Sequence, residues 1–186
     1  MKIRLLSLVL LVSCTGCSTP SQKPVKDSFV ADNLTIYRDF LQSYTDGSKS
    51  PLNIAEVTVP FQPDNTDRWR CLRRFHDSDL GSTSVHTFAA SAFPPPNRLV
   101  DPNNHRLSDP WKGIQRGQSV DGAVDNGFAA ALFTFSEIVF DSSRTHAALS
   151  YSFVCGSLCG NGAIILYEKQ NGTWKRSKGR CGEWVS

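Results

Sequence analysis

Apolar residues at Val30, Leu34, Tyr37, Leu41 and Tyr44 recur at spacings of four, three, four and three. That is the stripe of an amphipathic helix, widened by Phe40. Asp32 or Asn33 is placed to cap its start and Gly47 to end it. Leu52 to Val59 is rich in β-branched residues and stops at Pro60, the pattern of a short strand near a sheet edge. A short helix is expected from Trp111. Val120, Val124 and Phe128 then repeat every four residues and predict another helix before Leu132.

From Leu132 the period changes. Phe133 to Phe140 is apolar and aromatic, and Asp141-Ser-Ser-Arg144 reads as a turn. Leu149, Tyr151 and Phe153 then alternate with Ser150 and Ser152, the period of two of a half-buried strand. Ala163 to Tyr167 is continuously apolar, Asn171-Gly172 is a two-residue hairpin signal, and Thr173 to Lys178 returns as a last strand. The pattern therefore predicts a single α+β domain over 29–186. Its N-terminal amphipathic helix and short helices pack on a C-terminal four-stranded antiparallel meander. Between Phe93 and Trp111 lie five prolines and three asparagines, which predict an irregular loop around His105.

The N-terminus reads differently. Lys2 and Arg4 precede an apolar run from Leu5 to Val12, followed by small residues around two cysteines. The run is far shorter than the roughly 20 residues of a spanning helix, so 1–16 is expected to be a leader. Leu11-Val-Ser-Cys14 resembles the bacterial lipoprotein signal, whose cysteine becomes the lipidated first residue. Cys14-Thr-Gly-Cys17 fits that pattern with a cysteine where an aliphatic residue is usual. Parity favours Cys17, because cleavage there leaves four further cysteines, 71, 155, 159 and 181, whereas cleavage before Cys14 leaves five. Both positions stay open, as does an ordinary secretory leader. Residues 18–28 read as a flexible tether. The expected location is the cell envelope, through a membrane-embedded N-terminal lipid, with the domain facing the periplasm or exterior. Thr15 or Ser18 follows the candidate cysteine where an inner-membrane retention signal has aspartate, which by resemblance points to the outer membrane of a Gram-negative cell.

Charge adds little. The formal net charge is +3, and removing Lys2 and Arg4 from the 20 basic residues leaves 18 against 17 acidic, or +1. A neutral domain carries no electrostatic footprint for nucleic acid. The one basic cluster mixed with aromatics, Arg68-Trp-Arg-Cys-Leu-Arg-Arg-Phe75, is offset by Asp64, Asp67, Asp77 and Asp79 and reads as a solvated face.

One motif is specific. Phe135-Ser-Glu-Ile-Val-Phe-Asp141, then Ser150-Tyr-Ser-Phe-Val-Cys-Gly-Ser-Leu-Cys-Gly-Asn-Gly162, then Glu168-Lys169 and Gly172-Thr-Trp-Lys175, cover about a third of the chain. This resembles an uncharacterised group of bacterial exported proteins and lipoproteins. Their C-terminal halves carry a Cys-Gly-x-Leu-Cys-Gly-x-Gly hairpin followed by Glu-Lys and Gly-x-Trp. The resemblance implies the hairpin fold and supplies no chemistry.

Cys155 and Cys159 have three residues between them in a glycine-rich turn, short enough to bring their Cα atoms within disulfide reach. Cys71 and Cys181 then form a second bridge, although the pairings 71–155 with 159–181 and 71–159 with 155–181 remain open. Zinc sites favour Cys-x-x-Cys with neighbouring ligands, and reactive dithiols favour Cys-x-x-Cys opening a helix. Neither spacing is present, so no metal and no cofactor are expected. Ser157 stands in a hairpin without the Gly-x-Ser-x-Gly spacing of a nucleophile elbow. Glu137, with Asp141 and Glu168, reads as surface charge at strand ends rather than a catalytic carboxylate pair. Two functions follow as expectations. The first is a lipid-anchored envelope protein that binds an envelope protein or cell-wall component through a disulfide-closed tip formed by Gly156, Ser157, Leu158 and Asn161. The alternative is a periplasmic hydrolase near the 94–111 loop, using His105 with a carboxylate.

Overall fold

In a computed structural model, which describes residues 26–45, 50–80 and 85–186, the chain is α+β with a mostly antiparallel sheet. The long hairpins carry it. β5 (His146–Gly156) pairs antiparallel with β6 (Cys159–Gln170), and β6 with β7 (Thr173–Val185). The β6–β7 turn at Asn171-Gly172 has both residues at positive φ, 51° and 79°, the conformation that this dipeptide tolerates and that matches strand twist. On the other side of β5 lie β3 (Leu132–Phe135) and β4 (Val139–Phe140). Beyond β3 come β1 (Asn53–Ala55) and then β2 (Arg98–Val100), both joined in parallel.

The helix α1 (Lys26–Tyr44) covers one face of this sheet. Ile36, Tyr37, Phe40 and Leu41 are buried, with Leu34 and Tyr44 packed at the margin. The sheet presents Phe133, Phe135, Leu149, Phe153, Ile165 and Tyr167 to them. Aromatic pairs dominate: Tyr37 lies 4.8 Å from Phe135, Phe40 4.8 Å from Tyr151 and Tyr44 5.1 Å from Phe133, centroid to centroid. Tyr167 closes the packing by donating its hydroxyl to Asp39 at 2.8 Å.

The opposite face is built from the alternate positions. Thr134, Ser152, Gly162 and Trp184 stand in register across four strands, with Ser136, Ser150 and Ile164 in the next row. The segment from Phe61 to Leu80, including α2 (Asn65–Arg70), covers part of it through Phe61, Leu72 and Phe75 against Ala148 and Ile164. The Cys71–Cys181 disulfide fastens that segment to β7, with Cα atoms 6.3 Å apart. Two short helices, α3 (Pro110–Gln115) and α4 (Val120–Ala129), sit beside β5.

Several expectations are corrected. The sheet has seven strands rather than four, because β1 and β2 extend the meander in parallel and its first strand is divided at Ser136-Glu137-Ile138. Within Leu52–Val59 only Asn53–Ala55 forms a strand, β1, which lies one place in from the edge strand β2. The helix starts by Lys26, so 26–28 are helical rather than tether, and Asp32 and Asn33 lie inside it instead of capping it. Asp32 instead takes Lys169 at 3.3 Å and Arg144 at 3.6 Å. The α4 stripe faces outward: Ala123 and Gly127 are buried, while Val120 and Phe128 are exposed, because the close approach of Pro110 at Gly127 leaves no space for a side chain there. Cys14, Cys17 and Gly47 lie outside the described residues.

Candidate functional site

The expected binding tip is a two-residue turn, Ser157-Leu158, closed by the Cys155–Cys159 disulfide, whose Cα atoms are 5.1 Å apart. Among the four cysteines described, the pairing is thus 71–181 and 155–159. Cys155 is buried on the α1 side, so the bridge joins the tip to the main core. Gly156 lies so close to α3 that a Cβ there would meet Pro110 Cδ at 2.8 Å. Asp109, the N-cap of α3, accepts from the Trp111 amide at 3.0 Å and from the Ser157 hydroxyl at 2.8 Å. The Ser157 hydrogen bond, foremost, holds the Asp109 carboxyl below its ordinary value. Leu158 is 69% exposed. Asn161 is not part of the tip. It lies in β6 opposite Phe153, and its amide exchanges hydrogen bonds with the Tyr44 hydroxyl at 3.2 and 3.3 Å.

On the sheet face away from α1 lies a groove of about 270 Å³. Thr134, Ser150, Ser152, Phe61, Asp67 and Trp184 are among the residues that line it. The motif glycines have a steric role here. A Cβ on Gly162 would meet the indole Nε1 of Trp184 at 2.3 Å, and one on Gly160 would meet its Cζ3 at 3.2 Å. The indole therefore lies directly on glycine backbone, 40% exposed. Ser136 does not face this groove as a free hydroxyl. It is fully buried, donates to the Glu137 carbonyl at 2.8 Å and accepts from the Ser150 amide at 2.8 Å.

His105, the centre of the alternative reading, has its Nε2 2.8 Å from the Ala130 carbonyl. With Asn53 Nδ2 donating to Ala129 and Ala131, this contact ties β1 and the proline-rich segment to the end of α4. Among the described residues no carboxylate or nucleophile hydrogen-bonds to His105. His146 is likewise engaged, with Nδ1 3.1 Å from Asp141 and Nε2 2.8 Å from Arg74. Burial would raise the Asp141 carboxyl, but hydrogen bonds from Ser143, His146 and Thr145 outweigh it and hold it far below its ordinary value.

The arrangement that sequence reasoning missed is around Glu137. This carboxylate is only 4% exposed, not a surface charge. Its Oε1 accepts from the Thr58 hydroxyl and its Oε2 lies 2.6 Å from His86 Nδ1. Thr58 also accepts from the His86 amide at 2.8 Å, so three distant segments meet at one carboxylate. Nearby, the Tyr37 hydroxyl donates to the Ser136 carbonyl at 2.8 Å. Burial and then the Glu137 charge raise the Tyr37 phenol well above its ordinary value. One signal was available: Glu137 is the sole charge within the apolar run from Leu132 to Phe140, where a carboxylate is buried only with partners. Nothing marked Thr58 or His86.

A scan of protein-family models, a search of curated proteins and a search of solved structures each return no match for this chain. The two disulfides point to an oxidising, non-cytoplasmic compartment. No helix of the described residues is long and apolar enough to cross a membrane.

Proposed function

We propose that this is a lipid-anchored binding protein of the cell envelope, with its domain facing the periplasm or exterior. It presents the end of the β5–β6 hairpin to an envelope protein or cell-wall component. One observation carries this reading: Leu158 stands 69% exposed on a turn already fixed by a disulfide, by Ser157 on Asp109 and by Gly156 on Pro110. A partner that meets a braced tip does not have to order it, so a small apolar contact keeps more of its free energy. The helices that brace the tip carry exposed Trp111, Val120 and Phe128, and Phe128 stacks on Phe153 at 5.9 Å. Exposed aromatic and aliphatic side chains beside a rigid apex are the composition of an interaction surface.

The test is a photo-crosslinking amino acid placed at Leu158 in the full-length chain in its own cells, with the same probe at Val85 as control. A discrete adduct at 158 alone, lost on Leu158→Ala in an otherwise folded protein probed from Ser157, supports the reading. Equal crosslinking from both positions, or none, overturns it. The anchor is tested separately by the mass of the N-terminal peptide in the wild type, Cys17→Ala and Cys14→Ala; an unmodified peptide in the wild type removes the lipid from the proposal.

A further inference from the structure

The Glu137–His86 pair is asymmetric in a way that stability alone does not account for. Glu137 carries the desolvation cost at 4% exposed, yet the side chain it holds, His86, is 59% exposed. An exposed ion pair adds little to stability, and a buried one gains only when its partner is buried with it. What the arrangement does achieve is orientation. Nδ1 of His86 donates to the buried carboxylate at 2.6 Å, which leaves Nε2 as the acceptor of the neutral ring. Among the described residues Nε2 makes no hydrogen bond.

His86 lines a cavity of about 280 Å³ between α1 and the segment that follows His86. Its walls are mainly apolar: Leu34, Tyr37, Phe88, Ala89 and Ala92. Asn33 also lines it, and Asn33 Oδ1 is buried without a hydrogen-bond partner among the described residues. The Tyr37 hydroxyl hydrogen is already committed to Ser136. The Thr87 and Ser91 hydroxyls act in either sense and do not discriminate. With Nδ1 held by Glu137, the acceptor left on the cavity-lining imidazole is Nε2.

We propose that this cavity is a binding site for a small, mainly apolar neutral molecule bearing a hydroxyl, a phenol or compact alcohol, whose proton His86 Nε2 accepts. Glu137 acts as the positioning residue that keeps Nδ1 protonated and Nε2 open. Its negative charge at the back of the site also disfavours anionic ligands. This site lies apart from the hairpin tip, so it stands or falls independently of the envelope-binding role.

The test is chemical-shift mapping on the isotope-labelled full chain in detergent with three probes of similar size: phenol, toluene and benzoate. Phenol is expected to shift the amides of Asn33, Thr58, His86 and Phe88 and the ring signals of His86. Toluene is expected to bind at least fivefold more weakly, and benzoate not at all. Ala89 lines the cavity from an exposed position, so Ala89→Phe fills the space without disturbing the core and should abolish the phenol shifts. Absence of shifts around His86, equal binding of phenol and toluene, binding of benzoate, or phenol shifts that survive Ala89→Phe would each overturn the proposal.

Discussion

The two faces of the sheet are held by different means. Under α1, six or more aromatic rings interlock, and the helix joins the sheet through side chains that the unfolded chain would expose to water. The other face has hydroxyls and glycines at the equivalent positions, and the segment covering it is fastened by a disulfide. The lesson is that one pleated sheet carries two stabilising strategies, because alternate positions in each strand are independent. The first face gains from burying apolar area in the folded state. The second adds to a smaller apolar cluster the restriction of the unfolded state by a long covalent loop.

That contrast is most directly broken by removing the staple. Cys71 and Cys181 are separated by 110 residues, a span for which chain entropy gives about 4.7 kcal/mol. The double substitution Cys71→Ala, Cys181→Ala should therefore lower the denaturant midpoint most, with hydrogen exchange rising first at 61–80. Phe40→Ala, at a fully buried site of the other face, should cost about 3–5 kcal/mol in the same unfolding experiment. Its exchange increase should spread over β3, β5 and β6 instead of staying local; a local response would contradict the picture of one interlocked aromatic core. Gly162→Val should expel the Trp184 indole from its seat at a cost of roughly 1–3 kcal/mol. Tryptophan emission then shifts to longer wavelength, and an unchanged spectrum would show that the indole does not depend on that glycine.

The smallest effect concerns the tip and is a matter of pH. The Asp109 carboxyl is held below its ordinary value when the tip is docked, so the docked form gains from its ionisation. That contribution is complete above the ordinary carboxylate range, near pH 4, and declines as pH falls below it. Amide signals of Ser157 and Trp111 should move together in that acid window. Ser157→Ala should remove the coupled movement while leaving global unfolding nearly unchanged.

Much of the fold could be read in the chain because its signals are local. The alternation of Ser150 and Ser152 with Tyr151 and Phe153, and the Asn171-Gly172 turn, need no distant partner to be interpreted. What escaped depends on distance. The parallel pairing of β1 with both β2 and β3 joins residues far apart in sequence, and three-residue strands carry no period of their own. The outward turn of Phe128 follows from Pro110 filling the space at Gly127, a contact no periodicity reports. The β5–β6 turn falls at Ser157 and Leu158, and the strand register puts Asn161 on the α1 side. The Glu137 cluster was hidden for the same reason, since Thr58, His86 and Glu137 come from three segments that only the folded sheet brings together.

The ion pairs at the start of α1 and the amide contact at its end also set a direction. Asp32 meets Lys169 beside the β6–β7 turn, whereas Tyr44 meets Asn161 next to the disulfide-closed apex. The helix thus runs the length of the sheet, and its 19 residues span about 28 Å. A chain fastened to a bilayer ahead of Lys26 therefore carries its apex at the far pole. In the proposed lipid-anchored form, the length of the helix would separate the apex from the end of the domain nearest the anchor.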